Sequence, residues 1–220
     1  MPANAMPPAP APKKRDATQT RAAILASGRA AFARLGYDGA GVREIAAGAG
    51  VTAMLVNRYF GSKEGLFAEV IADTMATTGV VLPQILKQPM SSEDIAATLV
   101  GITQAGAAPL VGFQIMMRSV ASDRAAQIAR EQIQKHQQAR IVETLGGQHT
   151  EQRAALLLSL IAGFQMMRQM IGLSALAECP PETLTRLLAP MIQDLLAGDA
   201  VAATPEPAAR AKAESTRSPR

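Results

Sequence analysis

Apolar residues recur every three to four positions along nearly all of the sequence between residues 17 and 197. Ile24, Gly28, Ala31/Phe32 and Leu35 share one stripe, and Leu66, Phe67, Val70, Ile71 and Met75 a second. Leu156, Leu160, Phe164, Met167 and Ile171 form a third, and Leu184, Leu187/Leu188, Met191 and Leu195 a fourth. This is the period of an amphipathic helix, and no stretch alternates as a half-buried strand would. Ala, Leu, Met, Gln and Arg, good helix formers, are abundant. The expected fold class is all-α.

Glycine and proline set the expected boundaries. Gly36-Tyr37-Asp38-Gly39 closes the first helix, Gly48-Ala49-Gly50 the second, and Gly61-Ser62 precedes another start with Ser62 as N-cap. Helices are expected near 17–35, 42–48, 52–59, 62–80, 92–105, 109–119, 122–145, 150–174 and 181–197. Pro190 inside the last predicts a kink. Residues 1–15 hold five prolines and read as a disordered basic arm, and residues 199–220 as a disordered tail. One echo is visible: Gly112-Phe113-Gln114-Ile115-Met116-Met117-Arg118 resembles Gly163-Phe164-Gln165-Met166-Met167-Arg168.

Composition excludes several classes. One cysteine, Cys179, permits neither an internal disulfide nor a Cys-rich zinc module. Aromatic residues are only 3% of the chain, too few for a base-stacking nucleic-acid platform. The longest apolar stretch, Ala154 to Phe164, is much shorter than the roughly 20 residues a bilayer requires. No membrane partner is expected, and the location is expected to be cytoplasmic. The net charge of +4 is unevenly spread. Residues 1–62 carry +5, residues 63–198 carry −2, and residues 199–220 carry +1. A basic head of this kind is a solvated face or a surface that meets phosphates.

Residues 36–67, GYDGAGVREIAAGAGVTAMLVNRYFGSKEGLF, choose between those readings. Val42, Ile45, Ala46 and Ala49 give a short helix a small apolar inner face. Gly50 suits the positive φ of a tight turn, Val51 plugs the core and Thr52 is placed to cap the next helix. Val56 and Tyr59/Phe60 turn inward one turn on. This is a helix-turn-helix, whose second helix fits a DNA major groove.

These residues resemble the TetR family of bacterial transcriptional repressors. The likeness lies in Phe32-Ala33-Arg34-Leu35-Gly36-Tyr37, Val42-Arg43-Glu44-Ile45-Ala46, Gly50-Val51-Thr52 and Tyr59-Phe60-Gly61-Ser62-Lys63-Glu64-Gly65-Leu66-Phe67. It covers roughly residues 20–71. It implies an N-terminal three-helix DNA-binding head, residues 16–62, and a helical ligand-binding and dimerisation domain, residues 63–198. Arg43 is then a guanine or phosphate contact, Ala53 and Met54 contacts to thymine methyls, and Asn57 a partner for adenine. Thr52, Leu55 and Arg58 lie on the same DNA-facing segment, Arg58 as a phosphate contact or a solvated charge. Tyr59 and Lys63 are implied phosphate contacts. The chain departs from the family at Ala40-Gly41, where a capping Thr is common. It departs again at Leu55, often Thr, and at Asn57, often Tyr. Lys13-Lys14-Arg15 is available as a compensating arm in the minor groove or along phosphates.

The remaining sequence offers little reactive chemistry. His136 and His149 have no carboxylate or thiol at ligand spacing, so no metal is expected. No Walker loop, nucleophile elbow or paired-carboxylate constellation is present, so neither an enzyme nor a cofactor is expected. Met75, Phe113, Met116, Met117, Phe164, Met167 and Met170 are candidates to line a cavity for an apolar or aromatic effector. Helices 150–174 and 181–197 are the expected homodimer interface. The expected function is a ligand-released repressor on a palindromic, double-stranded operator. The alternative is a helical small-molecule-binding module without specific DNA binding.

Overall fold

The computed structural model describes residues 17–77, 91–104 and 111–198, and every regular element among them is helical. The expectations for residues 1–15, 78–80 and 199–220, and for Pro83, Pro89 and Pro109, fall outside the described residues. The elements are α1 (Ala17–Gly39), α2 (Val42–Ala49), α3 (Ala53–Phe60), α4 (Lys63–Thr77), α5 (Ser92–Ile102), α6 (Val111–Ser119) and α7 (Asp123–Ile133). A π-helical turn (Gln134–Gln138) leads into α8 (Ala139–Val142). Then follow α9 (Thr150–Gln165), a second π-helical turn (Met166–Met170), α10 (Ser174–Ala177) and α11 (Pro181–Ala197).

The described residues divide into two compact units, one of 17–77 and 111–132, the other of 91–104 and 133–198. In the first, Ile24, Phe32, Ile45, Val56, Leu66, Phe67, Val70 and Ile71 are fully enclosed together with Ile115 of α6. Phe32, Tyr37 and Phe67 pack ring against ring, with centroids 4.9 to 6.2 Å apart. Helix α1 breaks where the glycines predict: Gly36 has φ 69°, a conformation that L side chains avoid. A Cβ there would also lie 2.3 Å from the Arg118 carbonyl oxygen, so α6 is in backbone contact with the end of α1.

In the second unit Ile95, Ala96, Leu99 and Val100 of α5 pack with Leu184, Leu188 and Ile192 of α11 and Leu157, Ile161 and Phe164 of α9. Helix α5 opens with a reciprocal cap: Ser91 Oγ accepts from the Asp94 N–H, and the Ser91 N–H donates to Asp94. Arg153 is buried and stitches loop to helix end. Its Nε and Nη2 donate to the Leu195 and Leu196 carbonyls, and its Nη1 to those of Gly146 and Gln148.

Two long helices differ from expectation. The stretch 122–145 contains the π-helical turn at 134–138, and helix 150–174 leaves α-geometry after Gln165 and is interrupted at Gly172, where φ is 71°. The buried face of α9 is Ala154, Leu157, Ile161 and Phe164, whereas Leu156 and Met167 of the expected stripe are exposed. Helix α11 continues through Pro190 to Ala197. Among the described residues no helix is long and apolar enough to cross a membrane.

Candidate nucleic-acid interface

Helices α2 and α3 are joined by a turn that the sequence encodes closely. Gly50 adopts φ 65°, ψ 38°. Its N–H donates to the Ala47 carbonyl and the Val51 N–H to that of Ala46, both at 3.0 Å. This pair of bonds closes a helix through a left-handed residue, and Val51 then packs on the core beside Ala46. Helix α2 is fixed from behind by Ser27 of α1, whose Oγ donates to the Ile45 carbonyl at 2.8 Å. Thr52 has the extended backbone of an N-cap, but its side chain makes no capping bond and is exposed. The expected cap is therefore made by backbone alone.

Helix α3 is anchored by two residues on one side, Val56 fully buried and Phe60 nearly so. Ala53 and Tyr59 pack partly onto the same core, and Leu55 is half-buried. The opposite side carries Met54, Asn57 and Arg58, all exposed. Met54 is 79% exposed, an unusual position for a large apolar side chain. Arg43 on α2 is exposed as well.

The basic excess divides sharply. Arg21 pairs with Glu69, Arg34 with Glu44, and Arg29 with Asp73 at 3.4 Å. Arg43 and Arg58 take part in no ion pair among the described residues. Among the described residues of α1 to α3, the arginines left without an ion pair thus lie on the two helices of the motif. Lys63 Nζ sits 4.5 Å over the Tyr37 ring and donates to the Asp38 carbonyl at 3.5 Å.

The start of α4 closes this region. Ser62 Oγ accepts from the Gly65 N–H at 3.2 Å, as an N-cap should. Hydrogen bonds from Ser62, from its own backbone and from Tyr37 hold the Glu64 carboxyl below its ordinary pKa. Burial first, and then Glu64, push the Tyr37 phenol up.

The seven candidate effector residues fall in different units. Met75, Phe113, Met116 and Met117 belong to the first, with Phe113 buried and Met75 and Met116 packed partly against its core. Phe164 is buried in the second, where Met167 and Met170 are exposed. A groove of about 430 Å³ in the second unit is lined by Val100, Gln104, Glu182 and Thr185 among others, and none of the seven candidates lines it. Sequence reasoning passed over Ser119, Arg153, Gln165 and Arg168, because a buried polar residue has no periodic signature of its own.

A glycine-turned pair of short helices, braced by a third and bearing exposed arginines, defines a helix-turn-helix regulator. The family model described as bacterial regulatory proteins, tetR family, matches residues 24–70. That described as tetracyclin repressor-like, C-terminal domain, matches residues 93–196. Together they take in about two thirds of the chain, which belongs to the tetR family of transcription regulators. A putative transcriptional regulator from Pseudomonas aeruginosa PAO1 has a similar structure, with a TM-score of 0.62 at 19% identity, over 84% of this chain and 94% of that one. A putative TetR-family regulator from Mesorhizobium loti gives 0.59 at 19%, over 84% and 98%. FadR from Bacillus subtilis, solved in complex with stearoyl-CoA, gives 0.52 at 14%, over 80% and 98%. At these identities the likeness is one of fold. No curated protein matches the chain.

Proposed function

We propose that this regulator is a cytoplasmic, dimeric repressor that leaves a palindromic operator when a small apolar or aromatic molecule binds. The observation that carries the reading is the outer face of α3. Met54 is 79% exposed on a helix whose other side is locked into the core. Asn57 and the unpaired Arg58 flank it, and Arg43 is exposed on the helix before. Thymine methyls, an adenine edge and phosphates are the chemistry such a face meets. Within residues 16–62, Arg43, Ala53, Met54 and Asn57 are assigned to bases. Thr52, Leu55, Arg58, Tyr59 and Lys63 are assigned to the backbone and its approach. Half-buried Leu55 and Tyr59 act from the edge of the helix.

Residues 63–198 are assigned to the effector and to dimerisation. An apolar effector is in keeping with the acyl chain of the stearoyl-CoA in the FadR structure, with the Met and Phe residues named above, divided between the two units, as its candidate contacts. Dimerisation is supported by a second apolar row, outside the core, on each of the last long helices. Leu156 and Met167 are exposed beside α9's buried face, and Leu187 and Met191 beside α11's. Two recognition helices reach successive major grooves only when spaced about 34–36 Å apart, which two copies provide. Effector binding then shifts the population toward a spacing that misses the grooves.

The test is a gel shift with DNA flanking the protein's own coding region. Specific retardation relieved by an added small molecule is expected. Only salt-sensitive smearing would favour a binding module that has lost specific DNA recognition, as the departures at Ala40-Gly41, Leu55 and Asn57 would allow.

A further inference from the structure

Helix α2 has little of its own to hold it in place. It spans eight residues, too few to be stable alone, and its N-cap, Gly41, makes no side-chain bond. Helix α3 is as short, and its N-cap Thr52 makes none either. The position of both is therefore set by what they pack on. Ile45, Ala46 and Ala49 are buried and press α2 onto the core. Apolar burial is non-directional, and by itself it does not fix how far a helix slides or turns.

A hydrogen bond does. Ser27 is half-buried on α1, and its Oγ donates at 2.8 Å to the carbonyl of Ile45, in the middle of α2. The hydroxyl occupies space left by Gly48, three residues on. A Cβ at Gly48 would lie 2.5 Å from Ser27 Oγ, closer than real Cβ atoms come. It would lie 3.6 Å from Ser27 Cβ, an ordinary contact. A side chain at 48 would therefore turn the hydroxyl away from Ile45. Nothing in the backbone asks for glycine there: Gly48 is inside a helix and its φ is not positive. Glycine is less favourable than alanine at such a position. The bare position and the Ser27 bond thus belong together.

The bond bears on what the motif presents. Arg43 lies two residues before Ile45, on the exposed side of α2. The Val51 N–H ties the turn into α3 to the Ala46 carbonyl. A shift of α2 moves Arg43 directly and carries Met54 and Asn57 with the turn.

Resting on the reading of those residues as base contacts, we propose that Ser27 is a positioning residue for base recognition, which sets the register of α2 by filling the notch at Gly48. Hydrogen bonds to base edges weaken steeply with misalignment, whereas the attraction of a basic surface for phosphates tolerates it. Loss of the Ser27 bond therefore costs sequence preference and spares nonspecific binding.

The experiment compares the full-length parent with Ser27→Ala, Gly48→Ala and the double variant. Fluorescence anisotropy measures binding to DNA flanking the protein's own coding region and to poly(dI-dC), and thermal denaturation gives the Tm. Each variant is expected to lose about three- to tenfold of the preference for the flanking DNA. The double variant is expected to lose no more than either, since both substitutions remove one bond. Affinity for poly(dI-dC) is expected to hold. Gly48→Ala is expected to raise the Tm when Ser27 is already Ala, and to raise it less, if at all, in the parent. Lost preference in Gly48→Ala without a matching loss of Tm is a pattern that a merely structural role does not give. A preference unchanged in Ser27→Ala, additive losses in the double variant, or both DNA affinities falling together overturns the positioning role. Equal Tm rises in the two backgrounds overturn the pairing of Ser27 with Gly48. A parent that binds both DNAs alike sinks the specific-operator reading and the recognition role with it, and the Tm comparison still decides the pairing.

Discussion

The buried N–H of Tyr37, at the end of α1, donates to Ser119 Oγ at the end of α6, 3.0 Å away and 82 positions along the chain. Arg118 Nη1 donates to the Arg34 carbonyl at 3.3 Å, and Ser122 Oγ to Asp38 at 3.1 Å. The turn after α6 is therefore clamped onto the turn that leads into the DNA-binding motif. Residues 110–132 pack with the helix-turn-helix for this reason, although they are far from it in sequence.

Ser119→Ala removes the acceptor and leaves the Tyr37 N–H buried and unsatisfied. The expected loss is about 1–3 kcal/mol of stability, read as a lower urea midpoint. An unchanged midpoint would mean that the bond contributes nothing.

Gly50→Ala forces a Cβ into a left-handed turn. The expected cost is about 1–2 kcal/mol, with specific DNA affinity falling alongside as α3 is displaced. Thermal denaturation and fluorescence anisotropy on the same sample check both.

Met54→Ala combined with Asn57→Ala is expected to reduce operator affinity by about 1–3 kcal/mol for each base left without its side-chain partner, and to spare nonspecific binding. Lys63→Ala is expected to weaken all sequences alike and to lower the salt slope by about one. Titrations at several salt concentrations separate the two patterns.

The Glu64 carboxyl is held below its ordinary value of 4.5, chiefly by Ser62. A depressed carboxyl stabilises the fold above that value, and the contribution is lost as the pH falls below it. Ser62→Ala is therefore expected to lower stability at pH 7 and to flatten the loss on acidification. Urea midpoints at neutral pH and below the ordinary carboxylate range provide the check.

Leu187→Glu with Met191→Glu places charge on the exposed row of α11 while leaving Leu184, Leu188 and Ile192 in the core. Sedimentation is expected to show a folded monomer. A dimer surviving both changes would move the interface elsewhere.

Much of the first unit is legible in the sequence because its signals are local. Gly36 and Gly50 stand where φ is positive, Ser62 caps α4, and Val56 and Phe60 are inside. Each depends on neighbours within a few residues. The face of α9 is not legible in the same way: Leu156 and Leu157 are adjacent and both apolar, and only packing against α5 and α11 chose Leu157 for the core. The π-helical turns Gln134–Gln138 and Met166–Met170 hold no Gly or Pro to mark them in the sequence.

The echoed string makes the division plain. Gly112–Arg118 and Gly163–Arg168 read almost alike, and the sequence by itself determined that both are helical, with Phe113 and Phe164 turned inward. The fates of their arginines were decided by the tertiary structure. Arg118 stays exposed and reaches the Arg34 carbonyl. Arg168 is enclosed and donates to the Val100 and Leu176 carbonyls and to Thr103 Oγ1. Periodicity records which side of a helix is apolar. Whether a charged side chain there meets water or a carbonyl depends on residues brought to it from elsewhere in the chain.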